Sequence, residues 1–265
     1  MDPFQPEQSD ITLSTLAQMA QGGGWQLELA HDRAEHLLIW ITRGQGVMLL
    51  DGTRRGLGLH NAVFVPARQV FSIDMGRQSF GQVLSVPSAS ALTLPDLPLH
   101  LRIRDVASQV ELTAHFEALG REQNAQNPLC QSAMAAYGEL AGIWVRRQML
   151  HSALPGAKNS AALRLSRAFC ARLSTDYASG ANMADHAAAL GVTPTHLTRV
   201  CRAQTGKTAA ALLGERLVHA ARRLLGETRA PIQDIASHLG FGSAAYFTRF
   251  IQHHCGRAPS ALRGD

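Results

Sequence analysis

The sequence predicts an α+β protein with two domains, an antiparallel β domain followed by an all-α domain. Three observations support this prediction. Short apolar runs separated by turn residues fill the region from residue 25 to residue 87, a spacing typical of strands in a small barrel or jelly roll. From Val106 onward, apolar residues recur at three- and four-residue steps, as in helices. A seven-residue pattern then occurs twice near the C-terminus, about fifty residues apart.

Six segments of the first region have the composition of strands. They are Leu27–Leu29, His36–Thr42, Gly46–Leu50, Asn61–Pro66, Phe71–Met75 and Phe80–Val86. Asp51-Gly52, between two apolar runs, is a hairpin signal. Alternation in the second segment places Leu38 and Trp40 on one face of the sheet and Ile39 and Ile41 on the other.

Two helices are predicted next, and a polar segment then leads to the second domain. The helices cover residues 106–124 and 129–150, and the first has the apolar series Val106, Val110, Leu112, Phe116 and Leu119. The segment SALPGAKNS is small and polar, as expected of a linker. The predicted boundaries are 1–105 for the β domain, 106–151 for a packing or dimerisation segment, 152–160 for the linker and 161–265 for the C-terminal domain.

The repeated pattern is D-x-A-x-x-L-G, at residues 185–191 and again at residues 234–240. Each copy predicts a short helix, a tight turn at Gly191 or Gly240, and a second helix. Thr193-Pro194 and Ser243 are suitable N-caps for the second helices. This is the arrangement of a helix-turn-helix used twice. A generic pair of packed helical hairpins is the alternative.

Two further helices complete the predicted C-terminal domain. The first covers residues 161–178, and a longer one from Thr208 to Leu225 connects the two repeats. The connecting helix has a buried apolar stripe, formed by Leu213, Leu217, Ala220, Ala221, Leu224 and Leu225. Its arginines, Arg216, Arg222 and Arg223, are expected in solvent or near a polyanion.

The C-terminal hundred residues resemble the DNA-binding domain of the AraC/XylS family of transcription regulators. The resemblance rests on Ile235-Ala236, Leu239-Gly240-Phe241, Tyr246 to Phe250, Gly256, Pro259-Ser260 and Leu262-Arg263. The first copy departs from the family at Cys201-Arg202, where an aromatic residue and a lysine are usual. The resemblance implies a sequence-specific regulator of promoter DNA, and it favours an activator that recruits RNA polymerase.

The N-terminal region resembles the cupin-like sensor domain that precedes such DNA-binding domains. The matching segments are Arg43 to Gly46, Leu50 to Gly52 and Val63 to Pro66. The histidine that often follows the Pro66 position is missing. The resemblance implies a small-molecule effector, and a homodimer formed through the following helices. The candidate effector residues are Trp40, Arg43, Phe64, Arg68 and Phe71.

In a helix-turn-helix protein, side chains near the start of each second helix reach base edges in the major groove. In the first unit these are Thr195, His196, Thr198 and Arg199. In the second unit they are Ser243, Ala244, Ala245, Thr248 and Arg249. Because two alanines cannot hydrogen-bond a base, the first unit is expected to carry more sequence information. Arg199 and Arg249 could instead pair with Asp185 or Asp234. The predicted phosphate contacts are Arg202, Lys207, His253, His254 and Arg257.

Charge agrees with a polyanion binder. Residues 160–265 carry 13 Lys and Arg against 6 Asp and Glu, whereas residues 1–159 carry 12 against 14. The four cysteines lack C-x-x-C spacing, which favours reduced thiols. No segment has the roughly 20 apolar residues of a membrane helix, and the N-terminus lacks the pattern of a signal peptide. These features predict a cytoplasmic protein.

The sequence contains no pattern that predicts catalysis. It has no G-x-S-x-G, P-loop or dinucleotide glycine motif, so no catalytic residue and no cofactor are expected. The barrel region offers His31, His36 and His60 without a His-x-His pair, so no metal site is expected and these histidines are predicted at the surface or the rim of the barrel. Two alternatives stay open, an architectural DNA binder without an effector and a cupin-type enzyme with an accessory helical domain.

Overall fold

The computed structural model describes residues 10–76, 78–151 and 160–263. The strands are β1 (Thr12–Thr15), β2 (Glu35–Arg43), β3 (Gly46–Leu50), β4 (Thr53–Leu57), β5 (Asn61–Val65), β6 (Phe71–Met75), β7 (Phe80–Pro87) and β8 (Leu99–Arg102). The helices of the N-terminal part are α1 (Leu16–Met19), α2 (Trp25–Glu28), α3 (Val106–Ala125) and α4 (Cys130–His151). Those of the C-terminal part are α5 (Ala161–Asp176), α6 (Met183–Ala189), α7 (Pro194–Thr205), α8 (Ala209–Glu227), α9 (Ile232–His238), α10 (Ala244–Cys255) and α11 (Pro259–Leu262).

The strands form two antiparallel sheets. One has five strands in the order β1-β7-β2-β5-β8, and the other has three in the order β4-β3-β6. The chain is therefore α+β, with an antiparallel N-terminal domain and a helical C-terminal domain, as predicted. Elements change type close to the predicted boundaries, but residues 152–159 of the predicted linker lie outside the described residues.

Strand β2 is buried on both faces because each sheet face covers a different core. Ile39 and Ile41 lie in the cluster between the two sheets, with Phe71 from β6. Leu38 and Trp40 face the other way, into the cluster formed with α3 and α4. The predicted alternation in β2 is confirmed.

Five of the six predicted strands are present, and the sixth is wrong. Trp25–Glu28 forms the single-turn helix α2, so Leu27–Leu29 is not a strand. Three strands were missed, namely β1, β4 and β8, and all three lie at sheet edges. The sequences of β1 and β4, TLST and TRRGL, contain few apolar residues, and β8 has only four residues, so none of the three forms a clear apolar run.

Helices α3 and α4 match their predicted ranges, but the buried face of α3 is shorter than predicted. Leu112 and Phe116 are fully buried, whereas Val106 and Val110 are 68% and 62% exposed. The first turns of α3 are held to α4 by a hydrogen bond, which the Trp144 indole donates to the Ser108 carbonyl at 3.1 Å. None of the described helices is both long and apolar enough to cross a bilayer.

The C-terminal domain contains two separate cores joined by α8. Leu212 at the start of α8 belongs to a cluster with α5, α6 and α7, and Leu225 near its end belongs to a cluster with α9 and α10. The first cluster also takes Ala30, Leu49 and Val70 from the N-terminal domain. The two domains therefore share one of these cores.

Polar contacts reinforce this domain interface. The β3–β4 turn is held on α5, because the Ser166 hydroxyl donates to the Gly52 carbonyl at 2.7 Å and Arg167 pairs with Asp51 at 2.5 Å. On α8, Glu215 accepts a hydrogen bond from the Ala30 amide at 2.9 Å. The N-terminal domain is thus attached to both α5 and α8.

Candidate nucleic-acid interface

The two turns of the C-terminal domain have the same backbone geometry. Gly191 has φ +68° and Gly240 has φ +76°, so both occupy the left-handed region that favours glycine. The Val192 amide donates to the Ala187 carbonyl, and the Phe241 amide donates to the Ala236 carbonyl. This six-to-one bond ends each first helix in a Schellman motif. The predicted glycine turns are confirmed.

The second helix of each unit starts at the predicted cap. The Thr193 hydroxyl accepts the His196 amide at 3.2 Å, with Pro194 in the first turn of α7. The Ser243 hydroxyl accepts the Tyr246 amide at 3.1 Å at the start of α10. Both helices end at glycines in the left-handed region, Gly206 and Gly256, which lie fifty residues apart in the numbering.

Along α7, the predicted base-reading residues share one outward side. Thr195 and Arg199 are exposed, and His196 and Thr198 are half-buried. The Arg199 guanidinium lies 3.0 Å from the His196 Nδ1, which holds the two side chains side by side. Asp185, the acid considered as a partner for Arg199, instead accepts the Asn182 amide in the capping box of α6.

Along α10, the equivalent face has fewer hydrogen-bonding groups. Ala245 and Arg249 are exposed and Ala244 is half-buried. The Thr248 hydroxyl donates to the Ala244 carbonyl at 2.8 Å, and the Ser243 hydroxyl is the N-cap. Arg249 forms no ion pair within the part of the chain that the structure describes, which leaves it as the main donor on this face.

The predicted phosphate contacts differ in their surroundings. Arg202 and His253 are exposed, and the Arg257 guanidinium donates to the Ala261 carbonyl at 2.9 Å. Lys207 pairs with Glu215 at 2.7 Å, and the same carboxylate binds the N-terminal domain. Lys207 would have to leave this pair before it could reach a phosphate.

The five predicted effector residues do not line one cavity. Trp40 and Phe64 lie in the core against α3 and α4, whereas Phe71 lies between the sheets. Arg43 is exposed, and its Nε donates to the Gln78 carbonyl at 2.9 Å. Arg68 lies at the domain interface, 3.9 Å from Asp32.

The domain interface contains buried charged groups that sequence reasoning missed. Arg216 on α8 is only 6% exposed and pairs with Asp32 at 2.6 Å, so its prediction as a solvent residue is wrong. Arg222 lies over the Trp25 ring at 4.4 Å and is also not free in solvent. One signal was present in the sequence: Arg216 lies four residues from both Leu212 and Ala220, on a buried side of the helix.

Two histidines stack in the same interface. His31 is fully buried, against its prediction as a surface or rim residue, and its ring centre lies 4.2 Å from that of His219. Burial, helped by the charge of Arg33, lowers the pKa of His31 to about 3. Burial also lowers the pKa of His219 well below its usual value. Both rings are therefore neutral near neutral pH.

A polar cleft of about 250 Å³ lies beside this contact. Asp32, Ala34 and Arg68 of the N-terminal domain form one side, and residues of α8, the end of α5 and the second unit form the other. The latter are Tyr177, Arg216, His219, Ala220, Arg223, Leu224 and His238. Within the described residues, no cluster of three or more His, Cys, Asp or Glu side chains could hold a metal ion.

The fold and these two surfaces define a double helix-turn-helix domain attached to an antiparallel β domain. Residues 186–265 match the family model described as "Helix-turn-helix domain". This part of the chain is therefore a helix-turn-helix domain of the AraC type, and the protein is a DNA-binding transcription regulator. No curated protein sequence matches the chain significantly.

Solved structures of bacterial proteins resemble the chain more loosely. ToxT from Vibrio cholerae O395 is 11% identical over 97% of this chain and 98% of its own, with a TM-score of 0.43. Wild-type ToxT from V. cholerae strain SCE256, solved with an unsaturated fatty acid bound, is 11% identical over 98% and 97%, with a TM-score of 0.42. The C-terminal domain of AraT, a response regulator from Geobacillus stearothermophilus, is 25% identical over 40% of this chain and 87% of that one, with a TM-score of 0.36. With TM-scores below 0.5, these likenesses do not support residue-by-residue comparison.

Proposed function

We propose that this regulator reads two successive major grooves of promoter DNA, with α7 and α10 as its recognition helices. The observation that supports the proposal is the pair of capped helices, each preceded by the same glycine turn and each presenting an exposed arginine at the same position, Arg199 and Arg249. Grooves on one side of a duplex lie about 34 Å apart.

The two helices are proposed to read DNA unequally. Arg199 would contact a guanine in the first block of the operator, with Thr195 and Thr198 beside it. Arg249 would do so in the second block, where Ala244 and Ala245 can contact only thymine methyl groups or permit close approach. Arg202 and His253 are proposed to bind phosphates, which strengthens binding without selecting sequence.

Selection of bound sequences from a random DNA pool tests this proposal. The full-length protein should enrich two blocks with centres about 10 base pairs apart, the first better defined than the second. Enrichment of a single block would contradict double-groove reading. Binding without any enriched sequence would favour the architectural alternative.

We also propose that a small anionic effector binds in the cleft between the domains. Arg68 and Arg216 lie there around the carboxylate of Asp32, and Arg223, which pairs with Glu227 at 3.4 Å, also lines the cleft. The buried Nε of Arg216 has no hydrogen-bond partner within the described residues. A bound anion would contact the N-terminal domain and α8 together, so it would alter how the domains are held.

A screen of small carboxylates and phosphates for increased thermal stability tests the effector site. A ligand of the cleft should lose its effect in Arg68→Ala and keep it in Arg43→Ala, because Arg43 is an exposed turn arginine elsewhere in the same domain. Equal losses in both variants would place the ligand outside the cleft.

Activation through RNA polymerase and dimerisation are further parts of the proposal. Val106 and Val110, one turn apart and exposed on α3, would lie in the dimer contact. Sedimentation of the wild-type protein and of Val110→Glu tests the dimer, and transcription from a promoter carrying the selected operator tests activation. A wild-type monomer, or a dimer that survives Val110→Glu, would exclude this contact.

A further inference from the structure

The loop that leads into the first helix-turn-helix unit contacts the second unit directly, in addition to the link between the units through α8. The loop from α5 to α6 carries Gly180, which has φ +75°, against the second turn at Gly240. A methyl group placed on Gly180 would lie 2.9 Å from the Gly240 carbonyl oxygen. One placed on Gly240 would lie 2.9 Å from the Gly180 Cα and would overlap the Ala178 carbonyl. The two backbones are therefore packed without room for a side chain.

The loop that carries Gly180 is anchored at both ends. At its start, Tyr177 packs on the core of the second unit, with the Arg216 guanidinium 3.7 Å from its ring centre. At its end, the Asn182 side chain accepts the Ala184 and Asp185 amides and so begins α6 of the first unit. A displacement of this loop would therefore move one unit relative to the other.

This contact belongs to the second turn alone. Gly191, at the same place in the first turn, has nearly the same φ, but a methyl group added there would meet nothing within 4 Å. The conformation of the turn explains a glycine at both positions. Only the close approach of Gly180 requires the absence of a side chain at Gly240.

We propose that the contact between Gly180 and Gly240 sets the separation and rotation of α7 relative to α10, and with them the number of base pairs between the two blocks of the operator. This inference rests on the proposed function. Two units joined by one helix can pivot at its end, where the chain runs through residues 228–231 without regular structure. A second contact removes that freedom. One added base pair moves a block by about 3.4 Å and rotates it by about 34° about the duplex axis, which a braced pair of helices would not tolerate.

Operators that differ only in spacer length test the proposal. The selected sequence is synthesised with its spacer shortened or lengthened by one and two base pairs, and binding is measured with full-length wild-type protein, Gly240→Ala, Gly180→Asn and Gly191→Ala. Wild-type protein should prefer its best spacer by about tenfold or more over each neighbour, in line with half-site spacing as a geometric requirement. Gly191→Ala is the matched control, because it introduces the same φ strain without the collision.

Gly240→Ala and Gly180→Asn should reduce this preference to about threefold or less, or move it to another spacer length. The added side chain separates the two backbones, so α7 and α10 either move freely relative to each other or take up a different angle. Gly191→Ala should keep the wild-type preference even if its affinity falls. Asparagine is chosen at Gly180 because it tolerates positive φ, so this variant decides the question if Gly240→Ala does not fold.

Wild-type preference retained in both variants would overturn the proposal, and so would a wild-type protein that binds all spacers equally well. In either case double-groove reading would stand. A wild-type protein that selects no two-block operator would instead reject the proposed function itself.

Discussion

The two helix-turn-helix units have the same turns and caps but differ in what holds them in place. The core of the first unit includes Ala30, Leu49 and Val70 of the N-terminal domain, and the Asp51–Arg167 ion pair holds α5 from the same side. The core of the second unit consists only of C-terminal residues. One unit is therefore braced by the N-terminal domain, whereas the other depends on α8 and on the loop around Gly180.

This difference shows that the N-terminal domain contacts the two helix-turn-helix units unequally. A change in the N-terminal domain reaches the first unit through a shared core, but it reaches the second only through α8 or the interdomain cleft. The first unit also carries the richer set of hydrogen-bonding side chains. The contact with the N-terminal domain and the richer set of hydrogen-bonding side chains thus belong to the same unit.

The largest effect is expected from breaking the buried ion pair between Asp32 of the N-terminal domain and Arg216 of α8. Asp32→Ala leaves the Arg216 guanidinium buried without its carboxylate, which should reduce the free energy of unfolding by about 3–5 kcal/mol. Chemical denaturation followed by circular dichroism measures this loss. The double variant Asp32→Ala with Arg216→Met removes both charges and should recover most of it. A single variant as stable as wild type would show that this pair does not brace the domains.

Acid should weaken the same domain interface, where His31 stacks on His219. The folded-state pKa of His31 is about 3, below the 6.5 of an exposed histidine, so the unfolded chain binds the extra proton as the pH falls below 6.5. The stability that neutral His31 contributes is complete above pH 6.5 and is lost progressively toward pH 3. At pH 5 this amounts to about 2 kcal/mol.

Thermal unfolding of wild-type protein and His31→Asn between pH 7 and pH 5 measures this acid dependence. The asparagine variant should show a smaller decrease in Tm, because it has no imidazole to protonate. His253→Asn is the control, since His253 is exposed on α10. Equal decreases in wild type and His31→Asn would contradict the assignment to His31.

A matched pair of arginine substitutions measures how much each unit contributes to the recognition of its block of the operator. Arg199→Ala should lose about 1–3 kcal/mol of discrimination at one base pair of the first block, and Arg249→Ala should do the same in the second block. Since Arg249 has fewer hydrogen-bonding neighbours than Arg199, the block read by Arg249 should lose more of its sequence preference than the block read by Arg199. Binding to selected and scrambled operators separates the two effects. Equal losses on both DNAs would indicate phosphate contacts instead.

The smallest effect is expected at the helix caps. Thr193→Ala and Ser243→Ala each remove the side-chain acceptor at the start of a recognition helix, and each should cost about 1 kcal/mol of stability. Loss of the Ser243 cap should reduce DNA binding more than loss of the Thr193 cap. The core of the first unit includes side chains of the N-terminal domain, and these contacts help to hold α7 when its cap is removed. Tm and operator affinity of the two variants provide this comparison, and the reverse order would argue against unequal bracing.

Much of the DNA-reading half was predictable because its signals are local. A glycine in the left-handed region, a hydroxyl cap and a helical apolar period depend on interactions within a few residues, so Gly191, Gly240, Thr193 and Ser243 were identified correctly. The central strands β2 and β5 were found for the same reason. Edge strands such as β1 were missed because they bury too few side chains to show the pattern.

What the sequence by itself determined is the pair of helix-turn-helix units, the order of the two domains and the likeness to AraC/XylS regulators. Only the tertiary structure decided that Arg216 and His31 are buried, that the first unit shares a core with the N-terminal domain and that Gly180 meets Gly240. These features join residues that are distant along the chain, as when the Ala30 amide bonds Glu215 on α8. The burial of a charge depends on which surface covers it: the spacing of Arg216 places it on the apolar side of α8, but nothing near it in the sequence identifies Asp32 as its partner.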